Sequence, residues 1–196
     1  MFLMDYASGR WQRPRIEPYG PLALEPGACV LHYSQCLFEG MKAFKGKNGK
    51  IRLFRPTFHA QRMAVGAARL CMPAVPEEMF LQSIRSLVDQ DRDCRNITLI
   101  GTESFLGVRP AENYLYFVIT SPVGAYYAEG FNPVKIWVEE DFIRAAPGGL
   151  GSIKAGANYA ASMKASMQAK AKGYAQVLWL DALEHKQVEE VGTMNV

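Results

Sequence analysis

Gly148-Gly149-Leu150-Gly151-Ser152-Ile153-Lys154-Ala155-Gly156-Ala157-Asn158-Tyr159 is the stretch on which the reading of this chain turns. Its glycines and alanines carry almost no bulk, so the backbone can approach a ligand closely and take positive φ where needed. One amine, that of Lys154, stands in the middle. A lysine in a crowded, ligand-lined site can lose its proton and attack a carbonyl, forming a Schiff base. Read alone, the same residues also suit a glycine-rich surface loop with a solvated lysine. Two nucleotide readings fail. A phosphate-cradling loop ends in Gly-Lys-Ser/Thr, whereas Lys154 follows Ile153 and precedes Ala155. A dinucleotide fingerprint needs a third glycine where Lys154 stands.

The 196 residues can form one large domain or two small ones. Hydrophobic residues make up 49% and charged residues 21%, enough apolar surface for a core. The net charge of +3 is spread along the chain, which argues against a basic nucleic-acid arm or an acidic tail. No apolar run reaches membrane-spanning length, so no membrane partner is expected. Met1-Phe2-Leu3-Met4-Asp5 is too short, and too soon acidic, for a signal peptide. Cys29, Cys36, Cys71 and Cys94 form no CxxC pair and have no histidine at ligand spacing, so no metal site is expected. They read as reduced thiols of an intracellular protein. His32, His59 and His185 read as local hydrogen-bonding residues.

Outward from the glycine-rich stretch, local signals outline the elements. Prolines between Arg10 and Pro21 argue against a regular element there. Extended structure is expected over Cys29–Tyr33. Asn48-Gly49, in the turn 45–50, predicts a hairpin leading into a strand over 51–54. Pro56 opens a helix that runs to about Cys71 and is stopped by Pro73. Pro76-Glu77-Glu78 starts a second, with acidic residues at the positive end of its dipole. Met79, Leu81, Ile84, Leu87 and Val88 give it an apolar stripe. Strands are expected over 115–119, 134–138 and Gln176–Leu180, the last with Asp181 at its end. A helix rich in Ala and Met follows Asn158 and ends near Gly173, a suitable C-terminal cap. Ser121-Pro122-Val123-Gly124 marks a boundary.

Three further segments carry chemistry. They are Leu31-His32-Tyr33-Ser34-Gln35-Cys36-Leu37-Phe38-Glu39-Gly40-Met41-Lys42-Ala43-Phe44, Leu53-Phe54-Arg55-Pro56 followed by Arg62-Met63, and Val188-Glu189-Glu190-Val191-Gly192-Thr193-Met194-Asn195. With 154–159 they stand in one order, and the set resembles the motifs of class IV pyridoxal-phosphate enzymes, specifically the branched-chain amino acid aminotransferases. The resemblance covers nearly the whole chain, including Ala125-Tyr126 and Val177-Leu178-Trp179-Leu180-Asp181.

The resemblance implies roles. Lys154 would be the catalytic lysine, joined to pyridoxal 5′-phosphate as a Schiff base and then serving as general base and acid. Arg62 would bind the cofactor phosphate, a bidentate task suited to a guanidinium. Tyr159 would hydrogen-bond the ring hydroxyl oxygen. Glu190 would pair with the pyridine nitrogen, while Glu189, pointing the other way in a strand, would meet solvent. Thr193, after a glycine, would offer turn donors to phosphate or to the substrate carboxylate. Tyr33, Phe38, Val108 and Tyr126 would line an apolar substrate pocket. The reaction implied is reversible amino transfer from Leu, Ile or Val to 2-oxoglutarate, giving glutamate, in a homodimer with no nucleic-acid partner.

The implied fold is α/β (α+β) with two domains: a small one over 1–121, a linker over 122–127, and over 128–196 the incomplete start of a larger domain with a barrel-like sheet. The family continues beyond Val196 and begins earlier than Met1, so a fragment is expected. The segment around Cys94 and Arg95 is shorter than in the family, and proline is usual where Ser104 stands. The location implied is cytoplasmic, with the mitochondrial matrix as alternative. Three other readings stay open: a truncated isoform that only associates with other subunits, a D-amino-acid transaminase, and an aminodeoxychorismate lyase.

Overall fold

The computed structural model describes residues 1–91, 96–121, 132–192 and 194. Cys94, Arg95, Tyr126, Thr193, Val196 and the segment 122–127 lie outside the described residues. The chain divides into two compact units. The first comprises Met1–Pro122 with Ile153–Gly156, and the second Val123–Ser152 with Ala157–Val196.

The first unit is built on an antiparallel sheet. Its strands are β1 (Phe2–Ala7), β2 (Arg10–Trp11), β3 (Arg15–Ile16), β4 (Cys36–Gly40), β7 (Asn96–Gly101) and β8 (Tyr114–Ile119), with β5 (Ala43–Lys45) and β6 (Ile51–Leu53) forming a separate hairpin. The main order is β2-β1-β8-β7-β4, with β3 also on β1. The first residues form a strand beside β8. Antiparallel pairing with the preceding β1 orders the proline-rich stretch into β2 and β3, where local signals argue against regular structure. Gly49 takes φ +77° in the β5–β6 turn, which favours glycine.

Three helices accompany this sheet: α1 (Cys29–Tyr33), α2 (Pro56–Arg69) and α3 (Glu77–Asp91). Cys29–Tyr33 is helical rather than extended; only Cys29 is buried, and Ser34 closes the turn with φ +51°. Pro56 opens α2 as expected. The buried stripe of α3 is Phe80, Ser83, Ile84, Leu87 and Val88, with Met79 and Leu81 only half-buried. Ser83 belongs to that stripe because its Oγ lies 2.8 Å from the buried Tyr116 hydroxyl of β8. Side chains alternate across strands, so Tyr116 faces the helices while Leu115, with Leu3 and Ile100, packs a second core on the other face.

The second unit holds β9 (Ile136–Glu139), α4 (Gly156–Ala171), β10 (Gln176–Leu180) and β11 (Val188–Val191). Its sheet order is β11-β10-β9, with β9 and β10 parallel and β10 and β11 antiparallel. Ala165 and Ala169, one turn apart on α4, let the helix settle on Val177 and the buried Trp179. Gly173 ends this region with φ +80°. Among the described residues, no helix is long and apolar enough to cross a membrane.

Asp181 ties the β10–β11 connection. Its carboxylate accepts from the backbone N–H groups of Lys186 and Gln187 at 2.7 Å, Glu184 at 2.8 Å and Leu183 at 3.2 Å. Those donors hold its pKa well below the ordinary carboxylate value. A depressed folded pKa stabilises the hairpin fully above the unfolded value, about 3.9, and that contribution is lost as pH falls through the lower folded value. Asp181→Ala is therefore expected to speed amide exchange at Lys186 and Gln187 at pH 5, and to remove the hairpin's response to acid. In the first unit, Ser83→Ala is expected to lower stability by about 1–2 kcal/mol in chemical denaturation, because Tyr116 loses a buried hydrogen-bond partner.

Candidate active site

In the first unit the charged groups are arranged by β4. Alternation sends Leu37 and Glu39 to the face that meets α2, and Phe38 to the other. Helical spacing puts His59, Arg62, Met63 and Gly66 on one side of α2. Gly66 permits the approach: a Cβ there would lie 2.5 Å from Leu37 Cδ1. Glu39, 0% exposed, meets that side. Its Oε1 accepts from Arg62 Nε, and its Oε2 accepts from Arg62 Nη2 at 2.8 Å. Oε2 also lies 2.8 Å from His59 Nδ1 and 3.2 Å from the Gly40 N–H. A carboxylate only accepts, so His59 Nδ1 carries the proton. Arg62 remains 50% exposed and lines a cleft of about 340 Å³ with Phe54, Arg55, Phe58 and His59.

The outer edge of β4 is occupied by the lysine segment. The Phe38 N–H donates to the Lys154 carbonyl at 3.1 Å, and Leu37 and Ala155 form an antiparallel bridge. Ile153 and Ala155 are buried, which anchors the backbone on both sides of Lys154. The Lys154 Nζ stands 4.5 Å from the Phe38 ring centroid, a cation–π distance. The structure thus brings Lys154 and Phe38 together. Tyr33 stands elsewhere, at the end of α1 beside His32, with ring centroids 6.1 Å apart. Val108 is 92% exposed and contributes no wall within its own unit.

In the second unit, β11 sets Glu190 partly inside and Glu189 outside, as strand alternation requires. Arg144 Nε donates to Glu190 Oε2 at 2.5 Å, and both side chains are largely buried. The glycine-rich loop has local geometric reasons for two of its glycines. Gly148 takes φ +76°, and a Cβ on Gly151 would lie 2.3 Å from the Cβ of Ala145. Asn158 Nδ2 donates to the Leu150 carbonyl at 2.8 Å, tying the start of α4 to that loop. Tyr159 follows in the first turns of α4, where its carbonyl accepts from Ser162 Oγ at 2.8 Å. Before Thr193, the Gly192 N–H donates to the Val177 carbonyl at 2.6 Å, so this turn donor is engaged within the fold.

Sequence reasoning assigns no role to Glu39 or Arg144, and reads His59 only as a local hydrogen-bonding residue, in agreement with its contact to Glu39. The His59-x-x-Arg62 spacing on a helix is a signal for that contact. Nothing local signals the pairing of Arg144 with Glu190.

Residues 36–196 match the family described as amino-transferase class IV. Over its whole length the chain is 46% identical to branched-chain-amino-acid aminotransferase 2 of Bacillus subtilis (strain 168), covering 57% of that protein. It is 43% identical, again throughout, to the branched-chain-amino-acid aminotransferase of Mycobacterium tuberculosis (strain ATCC 25618 / H37Rv), covering 56% of it. Among solved structures, the Escherichia coli branched-chain amino acid aminotransferase superposes with a TM-score of 0.76 at 21% identity, over 96% of this chain and 62% of that one. The branched-chain aminotransferase of the archaeon Thermoproteus uzoniensis, solved with norvaline, gives a TM-score of 0.71 at 18% identity, over 97% and 63%. The mixed α/β fold expected from the sequence agrees with these structures. The chain spans somewhat more than half the length of the curated relatives it matches.

Arg144→Met is expected to destabilise the second unit by about 1–3 kcal/mol, since it leaves a largely buried carboxylate without its arginine. Urea denaturation monitored by tryptophan fluorescence in a Trp11→Phe background, which leaves Trp137 and Trp179 of the second unit, measures this.

Proposed function

This chain belongs to the class IV aminotransferases, and on that premise we propose that it carries the lysine-bearing part of an enzyme that moves the amino group of Leu, Ile or Val to 2-oxoglutarate. The cofactor proposed is pyridoxal 5′-phosphate. The names of the relatives support the substrate class. The observation that carries the reading is Lys154, whose backbone is hydrogen-bonded to the edge of β4 and whose amine lies over Phe38.

The donor set fits such a group. Lys154 offers an amine for an aldehyde, Arg62 a guanidinium in a cleft for a phosphate ester, and Glu190 a carboxylate for a ring nitrogen. When bound, pyridoxal 5′-phosphate supplies an electron-withdrawing ring that stabilises negative charge on the substrate's α-carbon. Lys154 Nζ would hold the cofactor and, once released, take the α-proton and return it. Arg62 would bind the phosphate end. Glu190 would orient the ring through its nitrogen, its own carboxylate held in direction by Arg144. Tyr159 would donate to the ring hydroxyl oxygen, and Thr193 to phosphate or to the substrate carboxylate. Phe38 and Tyr33 would face an aliphatic side chain. Tyr126 would extend that wall, and Val108 would join it only when covered.

The domain division proposed is a small domain to residue 121, a linker over 122–127 and a larger domain from 128. A homodimer in the cytoplasm is the proposed setting.

Borohydride trapping tests the reading. The chain is incubated with pyridoxal 5′-phosphate, reduced, digested and mapped by mass spectrometry. A phosphopyridoxyl label on the Lys154 peptide is expected, with Lys154→Ala reduced to background there. An unlabelled Lys154 peptide in the wild-type chain would sink the proposal. A panel of Leu, Ile, Val and D-alanine as amino donors separates the branched-chain reading from a D-amino-acid transaminase.

A further inference from the structure

Glu39 lies inside a motif that carries the family resemblance, yet nothing above gives it a chemical task. Its environment supplies one. It is a fully buried acid whose two oxygens are both committed on the α2 side. A buried carboxylate with poor pairing is costly, and three side-chain donors meet this one. Two come from the Nε and Nη2 side of Arg62, forming the side-on bidentate pair that fixes a guanidinium plane as well as its position. The third is His59 Nδ1, one helical turn earlier, so the ring braces the same oxygen that receives Nη2. The Gly40 N–H adds a backbone anchor to that oxygen. The pair is asymmetric in exposure: the carboxylate is sealed from solvent, while Arg62 is half-exposed and lines the cleft.

We propose that Glu39 is the positioning residue of the phosphate site: its buried carboxylate, braced by His59, locks the guanidinium plane of Arg62 so that this cation meets a phosphate ester in one orientation. The inference rests on the reading that Arg62 binds the cofactor phosphate. Held from one side by a buried anion, the Arg62 plane cannot rotate freely, so little ordering cost remains when an anion binds. Charge at position 62 is therefore insufficient by itself. A lysine there keeps the charge but has no planar fork for a side-on pair.

The test compares pyridoxal 5′-phosphate with pyridoxal, which lacks the phosphate. Dissociation constants of both are measured on the full 196-residue chain for wild type, Glu39→Gln and Arg62→Lys, by borohydride trapping at the Lys154 peptide across a concentration series. In parallel, hydrogen exchange of the Arg62 Nε–H is followed by ¹⁵N NMR with no ligand present. The wild type is expected to prefer the phosphorylated form and to protect the Nε–H. Both variants are expected to lose about tenfold or more of that preference, with affinity for pyridoxal held within about twofold. Glu39→Gln is also expected to lose the Nε–H protection. Should Glu39→Gln fail to fold, Arg62→Lys decides, since it leaves Glu39 and His59 in place. Preference retained within about twofold in Arg62→Lys, or in a folded Glu39→Gln, overturns the inference while the phosphate role of position 62 stands. A wild-type chain that labels with both aldehydes but shows no preference overturns the phosphate reading of Arg62 and this inference with it. An Arg62 Nε–H that exchanges as fast as a solvated arginine in the wild type overturns the inference alone.

Discussion

One strand, β4, is occupied on both faces and along its outer edge. Adjacent residues of a strand must point to opposite faces, so Phe38 and Glu39 cannot serve the same neighbour. Glu39 turns toward α2 and is sealed there, which obliges the helix to dock with Arg62 and His59 facing inward. Gly66 makes that docking close enough by leaving room for Leu37. Phe38 turns the other way and lies under the Lys154 amine, while its N–H holds the Lys154 backbone. The positions of Arg62 and Lys154 therefore follow from five residues of extended chain.

The chain's legible elements are those whose causes are local. Asn48-Gly49 announces its hairpin, Pro56 its helix start, and Gly173 the end of the α4 region, because each acts on its own backbone. The strands that reading missed are held by partner strands. β1 depends on β8, more than a hundred residues later, and nothing within Phe2–Ala7 announces that pairing. The proline-rich stretch forms β2 and β3 only because β1 is there to receive them. Cys29–Tyr33 curls into a short helix, and neither its composition nor its period distinguishes that from a strand. On α3 the apolar template overlooks Ser83, whose burial is justified by the Tyr116 hydroxyl.

The candidate site shows the same division. Lys154, Arg62 and Glu190 stand out as motif residues, and strand alternation separates Glu190 from Glu189 correctly. What holds them does not stand out. Glu39 is as plain a part of its motif as Phe38, but its task appears only when α2 folds over it. Arg144 sits upstream of the glycine-rich stretch and reaches Glu190 through the fold of the second unit. The glycines, read as room for a ligand, also satisfy the loop's own geometry at Gly148 and Gly151.

The alternation in β4 also limits how its sequence can change in length. A single inserted or deleted residue between Cys36 and Gly40 would exchange the two sides of the strand. The carboxylate would then lie under the lysine, and the phenyl ring would be pressed against a guanidinium and an imidazole deprived of their anion. The hairpin turn 45–50 carries no such parity and can lengthen or shorten with less penalty. Gene variants in this region should therefore accumulate their indels in that turn and spare the five residues of the strand.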